Sequence, residues 1–312
     1  VSKRRNNDGP DGLVVVDKDA GWTSHDVVAK SRGLLGTRKV GHSGTLDPDA
    51  TGILLLGVGR VTRLLRFLTA LPKTYTCDIV LGVETSTLDA AGDVTATHDM
   101  SGVTFEAVER EAAALTGDIF QIPPMVSAVK IDGRRLHELA REGIEVERKP
   151  RPVTVHRFTV TPTDDPLIIR AEVECSSGTY VRTLAADLGT ALGGGAHLRD
   201  LRRTAIGSFS LADAHTLESV TPEILLTPAD ALRDYVVITA TEAERLDVGH
   251  GKVLERDERF VGDGPWMVHD ATGNLIAVYG PHRGTTAKPE VVIAPVDGGG
   301  AASTATESPD EK

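Results

Sequence analysis

Residues 41–52 read Gly41-His42-Ser43-Gly44-Thr45-Leu46-Asp47-Pro48-Asp49-Ala50-Thr51-Gly52, a run of small residues, hydroxyls, one imidazole and two carboxylates between apolar segments. Its glycines let the backbone take positive φ or pass close against another surface, and Pro48 fixes a bend just after Asp47. Such a loop can hold one carboxylate at a fixed point facing a cleft. Two readings of Asp47 follow from the residues alone: a turn opener or cap for the next segment, or a functional group on a loop that rigid elements carry.

The flanking elements set the frame. Leu13-Val14-Val15-Val16 reads as a short buried strand, and Val27, Val28, Ser31 and Leu34-Leu35 space out a helix that Ser24 can cap and Gly36 ends. Ile53 to Gly59 is a strand too apolar to face water. Val61, Leu64, Leu65 and Leu68 recur at helical spacing before Pro72. Lys73 to Gly82 alternates as a strand, which sends Tyr75 and Cys77 to one face. A polar loop over 82–93, a helix from Phe105 to Leu115, and a rigid approach through Pro123-Pro124 to a Val126–Val129 strand come next. Arg134 to Gly143 reads as a basic amphipathic helix, 151–161 and 167–175 as a hairpin, and Cys175 to Gly189 as strand, glycine turn and helix. Residues 193–204 form an apolar and basic segment that closes this part of the chain. Beyond Asp234 come short strands at 235–238, 266–269, 275–279 and 291–294 with a helix at 241–246, and the tail from Asp297 to Lys312 has a disordered composition.

Composition excludes several classes. No apolar run approaches the roughly 20 residues that span a bilayer, and the first residues lack a signal-peptide core, so the expectation is a cytoplasmic protein. Cys77 and Cys175, far apart in apolar segments, read as free buried thiols, and no zinc-ligand spacing occurs among the histidines. The net charge of −11 is unevenly spread: +4 over 1–66, +3 over 130–157 and −10 over 204–312. That distribution is compatible with a basic nucleic-acid-facing side on an acidic protein, and equally with solvated helix faces. A serine-hydrolase elbow fails because Thr45 stands at the fifth position of Gly41-His42-Ser43-Gly44-Thr45. A phosphate-binding loop fails because Val58-Gly59 stand where Lys and Ser/Thr are required.

The run Lys39-Val40-Gly41-His42-Ser43-Gly44-Thr45-Leu46-Asp47-Pro48 with Ala50-Thr51-Gly52 resembles the catalytic motif of the bacterial tRNA pseudouridine synthase B family. The same resemblance covers Asp17-Lys18 with Gly21 and Thr23-Ser24-His25, Gln121 to Lys130, Cys175 to Gly189 and Gly193 to Thr204, with Asp19 standing where the family usually has Pro. It implies an α+β protein: a pseudouridine synthase fold, a mixed β-sheet with flanking helices and a central cleft, plus a small C-terminal β-rich PUA-like domain. The expected layout is a flexible N-terminus over 1–11, a catalytic domain over 12–234, a PUA-like RNA-binding domain over 235–296 and a disordered acidic tail over 297–312.

The resemblance further implies that uridine 55 in the T loop of tRNA is isomerised without cofactor or metal, by extruding the base. Asp47 would be the nucleophile, Tyr75 the ring that stacks on the base, and Arg182 the guanidinium that holds Asp47 ionised through two parallel hydrogen bonds, with Tyr180 beside it. His42, Lys18, Lys39, Asp89, Lys130, Arg134, Arg141, Arg202 and Arg203 would face RNA, His42 propping the vacated space and Asp89 pairing an arginine or substrate. The partner is the T-arm stem-loop of tRNA, with no membrane and no obligatory protein partner, and the protein is expected to be a monomer. Two alternatives stand beside this one: a non-catalytic tRNA-binding or folding protein, and a guide-RNA-dependent relative.

Overall fold

A computed structural model describes residues 9–293 except 128 and 132, and the side chains of Lys130, Arg135 and His137 are outside that description. Two compact units divide the chain, one running to Asp234 and the other starting at Tyr235. The expected disordered tail and most of the expected flexible N-terminus lie outside the described residues. Where description begins, Asp11 is already anchored, its carboxylate paired with Arg60. No described helix is long and apolar enough to cross a membrane.

In chain order the first unit contains β1 (Gly12–Lys18), α1 (Ser24–Leu34), β2 (Val40–His42), β3 (Thr51–Val58), α2 (Leu65–Ala70) and β4 (Lys73–Leu81). These are followed by β5 (Val83–Thr85), β6 (Val94–Thr97), α3 (Phe105–Ala114), β7 (Gly117–Gln121), β8 (Lys130–Ile131), β9 (Arg134–Arg135) and α4 (Leu136–Arg141). The unit ends with β10 (Arg151–Pro162), β11 (Ile168–Cys175), α5 (Val181–Ala191), β12 (Ala196–Ile206), β13 (Phe209–Ser210) and β14 (His215–Thr216). Ten strands form one mixed sheet in the order β14-β1-β3-β12-β4-β11-β10-β7, with β2 added to β3 and β13 to β12. One core packs α3 and α5 against β4, β10 and β11, through residues such as Ile79, Val108, Val173, Leu184 and Leu188. A second packs α1 against β1 and β3 through Val14, Val16, Val27, Leu54 and Leu56. Burial on both faces is why β3 reads as an unbroken apolar run.

The largest departure from the sequence reading is β12. Most of the stretch 193–204, which reads as a closing apolar and basic segment, belongs to a central strand over Ala196–Ile206, parallel to β3 and antiparallel to β4. Its alternation is hidden by two register shifts, between Arg199 and Arg202 and between Arg203 and Ala205, with Asp200 at φ +55°. Gly52 is the residue that lets β3 lie against it: at φ +98° a Cβ there would meet the Arg203 carbonyl oxygen at 2.2 Å. Smaller corrections follow local chemistry. Thr23, not Ser24, caps α1, in a capping box with Asp26. The strand expected over 126–129 is absent where described, Val126 and Ser127 forming bends. The basic helix starts at Leu136 because Arg134-Arg135 pair as β9 with Lys130–Ile131, and residues 82–93 contain part of the β5–β6 hairpin rather than loop alone.

The second unit holds β15 (Val236–Thr239), α6 (Glu242–Gly249), β16 (Leu254–Glu255), β17 (Trp266–His269), β18 (Leu275–Pro281) and β19 (Thr286–Val292), with the strands in the order β15-β17-β18-β19-β16. The last strand lies several residues before the expected 291–294. Its core is built on Trp266, Tyr279, Ile238, Val248 and Phe260, the Phe260 and Trp266 rings meeting edge to face at 5.3 Å.

Candidate active site

Asp47 sits in the loop between β2 and β3, and three buried side chains from three different elements hold that loop by its backbone. Lys18 at the end of β1 is 1% exposed, and its ammonium donates to the carbonyls of Asp19, Trp22 and Pro48 at 2.8–2.9 Å. Ser24 Oγ accepts from Leu46 N at 2.9 Å and donates to Leu46 O at 3.1 Å. Arg203 of β12, also 1% exposed, donates to the carbonyls of Ile53 at 2.7 Å, Gly44 at 3.2 Å and Thr45 at 3.5 Å. The expectation that Lys18 faces RNA is therefore corrected, whereas Arg203, although buried on the loop's carbonyls, borders the cavity that holds Asp47. Burying a long cation is tolerable only when its N–H groups are satisfied, and here the loop's carbonyls do that.

The Asp47 carboxylate is 42% exposed, and Arg182 Nε lies 3.1 Å from its Oδ2. Arg182 stands in the first turn of α5 and is 6% exposed. Its other nitrogens go to Asp89 Oδ2 at 3.4 Å, the Thr87 carbonyl at 2.9 Å and the Val126 carbonyl at 2.8 Å. The pair with Asp47 is thus a single contact rather than the two parallel bonds expected, because the planar fork is shared among four partners. Asp89 is itself fixed by Thr87 Oγ1 at 2.5 Å and Ala91 N at 3.1 Å, and the Asp89 backbone bridges to Leu198 of β12.

Partial burial lifts the Asp47 pKa above the usual aspartate range. Arg182 opposes that shift, Asp89 adds to it, Lys18 opposes it and Asp49 adds to it. Tyr75 on β4 is 8% exposed; burial raises its phenol pKa, and the nearby Arg203 guanidinium opposes that shift.

Asp47 borders two cavities. One, of about 310 Å³, is lined by Asp47, Tyr75, Tyr180, Arg182, Leu201 and Arg203 among others. The other, of about 370 Å³, carries Asp47, Thr87, Asp89, Arg182, Leu198 and Leu201. Asp47, Tyr75, Tyr180, Arg182 and Asp89 are therefore brought together. Tyr180 is set in place by Gln121, 2% exposed, whose amide oxygen accepts from Tyr180 N at 2.9 Å and whose Nε2 donates to Tyr180 O at 3.3 Å.

The remaining expected residues are dispersed. His42 borders neither cavity; its ring meets that of His25 edge-on at 5.4 Å, and burial, then His25 and Arg203, lower its pKa. Lys39 is exposed. Arg134 is exposed and paired with Glu142, and Arg141 is exposed on a separate cleft with Val126 and Ile144. Arg202 makes a two-point pair with Asp17, at 3.0 and 2.7 Å. The Lys130 side chain lies outside the description.

Sequence reasoning missed Gln121, Leu201 and Lys73 as site residues. Leu201 enters the cleft through a bulge, which leaves no periodic trace; Gln121 opens a stretch that the resemblance covers without giving it a role, and Lys73 looks in sequence like an ordinary strand-end residue.

With that geometry in place, comparisons with known proteins bear on it. A family model described as "TruB family pseudouridylate synthase (N terminal domain)" matches residues 32–181, and one described as "tRNA pseudouridylate synthase B C-terminal domain" matches 182–238. The chain is 50% identical over 294 residues to the tRNA pseudouridine synthase B of Rhodococcus jostii, covering 91% of this chain and 94% of that one. It is 47% identical over 285 residues to the protein of the same name from Streptomyces coelicolor, covering 88% and 95%. Among solved structures it shares the fold of the Cbf5 chain in a Cbf5-Nop10-Gar1 complex, with TM-score 0.71, 23% identity and coverage of 91% and 85%.

Proposed function

The chain belongs to the TruB family of pseudouridylate synthases and is a tRNA pseudouridine synthase, and from that premise we propose that it isomerises uridine 55 in the T loop, with Asp47 as the reacting carboxylate. The reaction breaks the bond between uracil N1 and ribose C1′, forms one between C5 and C1′, and moves a proton from C5 to N1. Substrate and product have the same atoms, so the step consumes no donor and no oxidant. It requires a carboxylate to meet the sugar or the base, a surface against which the loosened ring turns, and shelter from water.

The observation that carries the reading is the junction at Asp47. An accessible carboxylate stands on a loop locked from three sides, against a buried guanidinium, where a cavity bearing two tyrosines meets a second cavity. Arg182 keeps the acid ionised and aimed, offsetting the burial that favours its protonated form. Tyr75, buried in the β4 face of the cavity, offers a ring face to an extruded uracil, and Leu201 adds an apolar wall. Extrusion costs a few kcal/mol, which contacts along the T arm offset. The second unit is read as a PUA-like module that adds RNA contact, and the enzyme acts on tRNA by itself, in the cytoplasm, as a monomer.

The test is a tRNA transcript treated with the purified protein and mapped for pseudouridine at single-base resolution. Conversion confined to position 55 is expected, and none with Asp47→Asn. Conversion by the Asn variant, or dependence on an added guide RNA or protein, would refute the proposal.

A further inference from the structure

The cavity that carries Asp47 and Tyr75 is also bordered by Lys73, Thr69 and the turn Ser177-Gly178-Thr179, none of which the chemistry above uses. Lys73 is 6% exposed, and its ammonium donates to the carbonyls of Thr69 at 2.7 Å and Leu71 at 2.6 Å. An ammonium has three N–H groups, so one is left for a further acceptor. Arg203 is close enough for its charge to act on Lys73: burial first, and Arg203 second, push the ammonium pKa down to about 8, with Cys175 acting the other way. Every hydrogen bond these two cations make among the described residues goes to a backbone carbonyl, and neither is paired with a carboxylate there. Two neighbouring buried cations without a counter-charge are costly, and an anion docking beside them would recover part of that cost. The space beside Gly178 is open, with nothing within 4 Å of where a Cβ would stand.

RNA brings such an anion with every nucleotide. We propose that the Lys73 side of this cavity is a phosphate subsite, which takes one of the two phosphodiesters flanking the uridine presented to Asp47. The proposal rests on the reading of Asp47 given above and adds to it a binding element two residues along β4 from the stacking tyrosine. Lys73 and Tyr75 point to the same side of that strand, so one strand face grips the backbone and the ring of a single nucleotide. Lys73 touches substrate through charge alone, which makes it a binding residue.

The experiment uses T-arm stem-loops in which the phosphate on one or the other side of the target uridine is replaced by an uncharged methylphosphonate. Conversion by the full-length protein and by Lys73→Gln is followed over a salt series. Lys73→Gln is expected to lower kcat/KM about 10-fold and to flatten the log-log salt slope by about 0.7 to 1, the signature of one lost phosphate contact. One of the two methylphosphonates should lower wild-type kcat/KM by a similar factor and cost the Gln variant nothing more. Losses that multiply, or no loss at either flank, overturn the subsite.

Because a buried substitution can unfold the chain, nitrogen-15 NMR of the wild-type lysines gives a second readout. Binding of the pseudouridine-containing stem-loop should raise the Lys73 pKa above about 8, and the methylphosphonate version should not; an unmoved Lys73 overturns the proposal. A protein that forms no pseudouridine in any tRNA removes the underlying reading as well, whereas conversion with multiplicative losses removes the subsite alone.

Discussion

Arg182 and Arg203 are both buried and both border the cavity that holds Asp47, yet they do opposite work. Arg182 faces two carboxylates and two carbonyls, so its charge is spent on the ionisation and direction of Asp47. Arg203 donates to three carbonyls, so its fork is used to hold backbone shape. The difference teaches that the residue type alone does not assign a role here. An arginine becomes an electrostatic element where acids converge on it, and a scaffold where peptide groups do.

The largest effect that can break this comparison is on Arg182. An ammonium cannot serve Asp47, Asp89 and two carbonyls at once, so Arg182→Lys should lower single-turnover conversion by about 10²- to 10³-fold while the fold persists. A variant within threefold of wild type would show that the guanidinium is not what orients the acid. Arg203→Met should behave the other way round, reading out first in stability. It leaves several buried acceptors unpaired at about 1–3 kcal/mol each, for a loss of at least about 3 kcal/mol in thermal or denaturant unfolding. If its melting temperature is unchanged, the scaffold role is wrong.

Two smaller effects sharpen the contrast. Asp47 holds its proton to higher pH than an ordinary aspartate, so the ionised form, and with it the rate, is lost as pH falls through a value above 3.8. By linkage, the ionised acid costs folding stability above that value, and the cost fades as pH drops toward 3.8. Asp89→Asn removes a charge that adds to the shift, so the acid limb of the pH-rate profile should move to lower pH. A move to higher pH would mean that Asp89 acts mainly through Arg182's position. The smallest effect is on the neighbouring Arg202, whose two-point pair with Asp17 is about one-third exposed on each side. Arg202→Gln should cost less than about 1 kcal/mol in unfolding, a fraction of the loss at the adjacent residue of the same strand.

Much of the frame was readable in the chain. Apolar runs and alternation predict β1, β3, β4, the β10–β11 hairpin, α3 and α5 close to their observed limits, because those elements bury side chains in regular periods. The loop from Gly41 to Gly52 stands out by composition, and its resemblance to a known motif names Asp47, while the same family resemblance in the separate segments around residues 75 and 182 names Tyr75 and Arg182. β12 was not readable as a strand, since its two register shifts break the period of two on which such a reading depends. The dispersed basic residues were not separable either: Lys18, Arg202 and Arg203 are equally cationic in sequence, and only burial tells a scaffold from a surface charge.

By itself, then, the sequence determined which local segments form and which loop carries the candidate carboxylate Asp47, because both depend on residue type and short-range spacing. The tertiary structure decided which cations surround that carboxylate and what each one does. Those roles follow from distant partners, Pro48 lying 30 residues from Lys18, Thr87 95 from Arg182 and Gly44 159 from Arg203, and the energy of a buried charge depends on what faces it in space rather than on what precedes it in the chain.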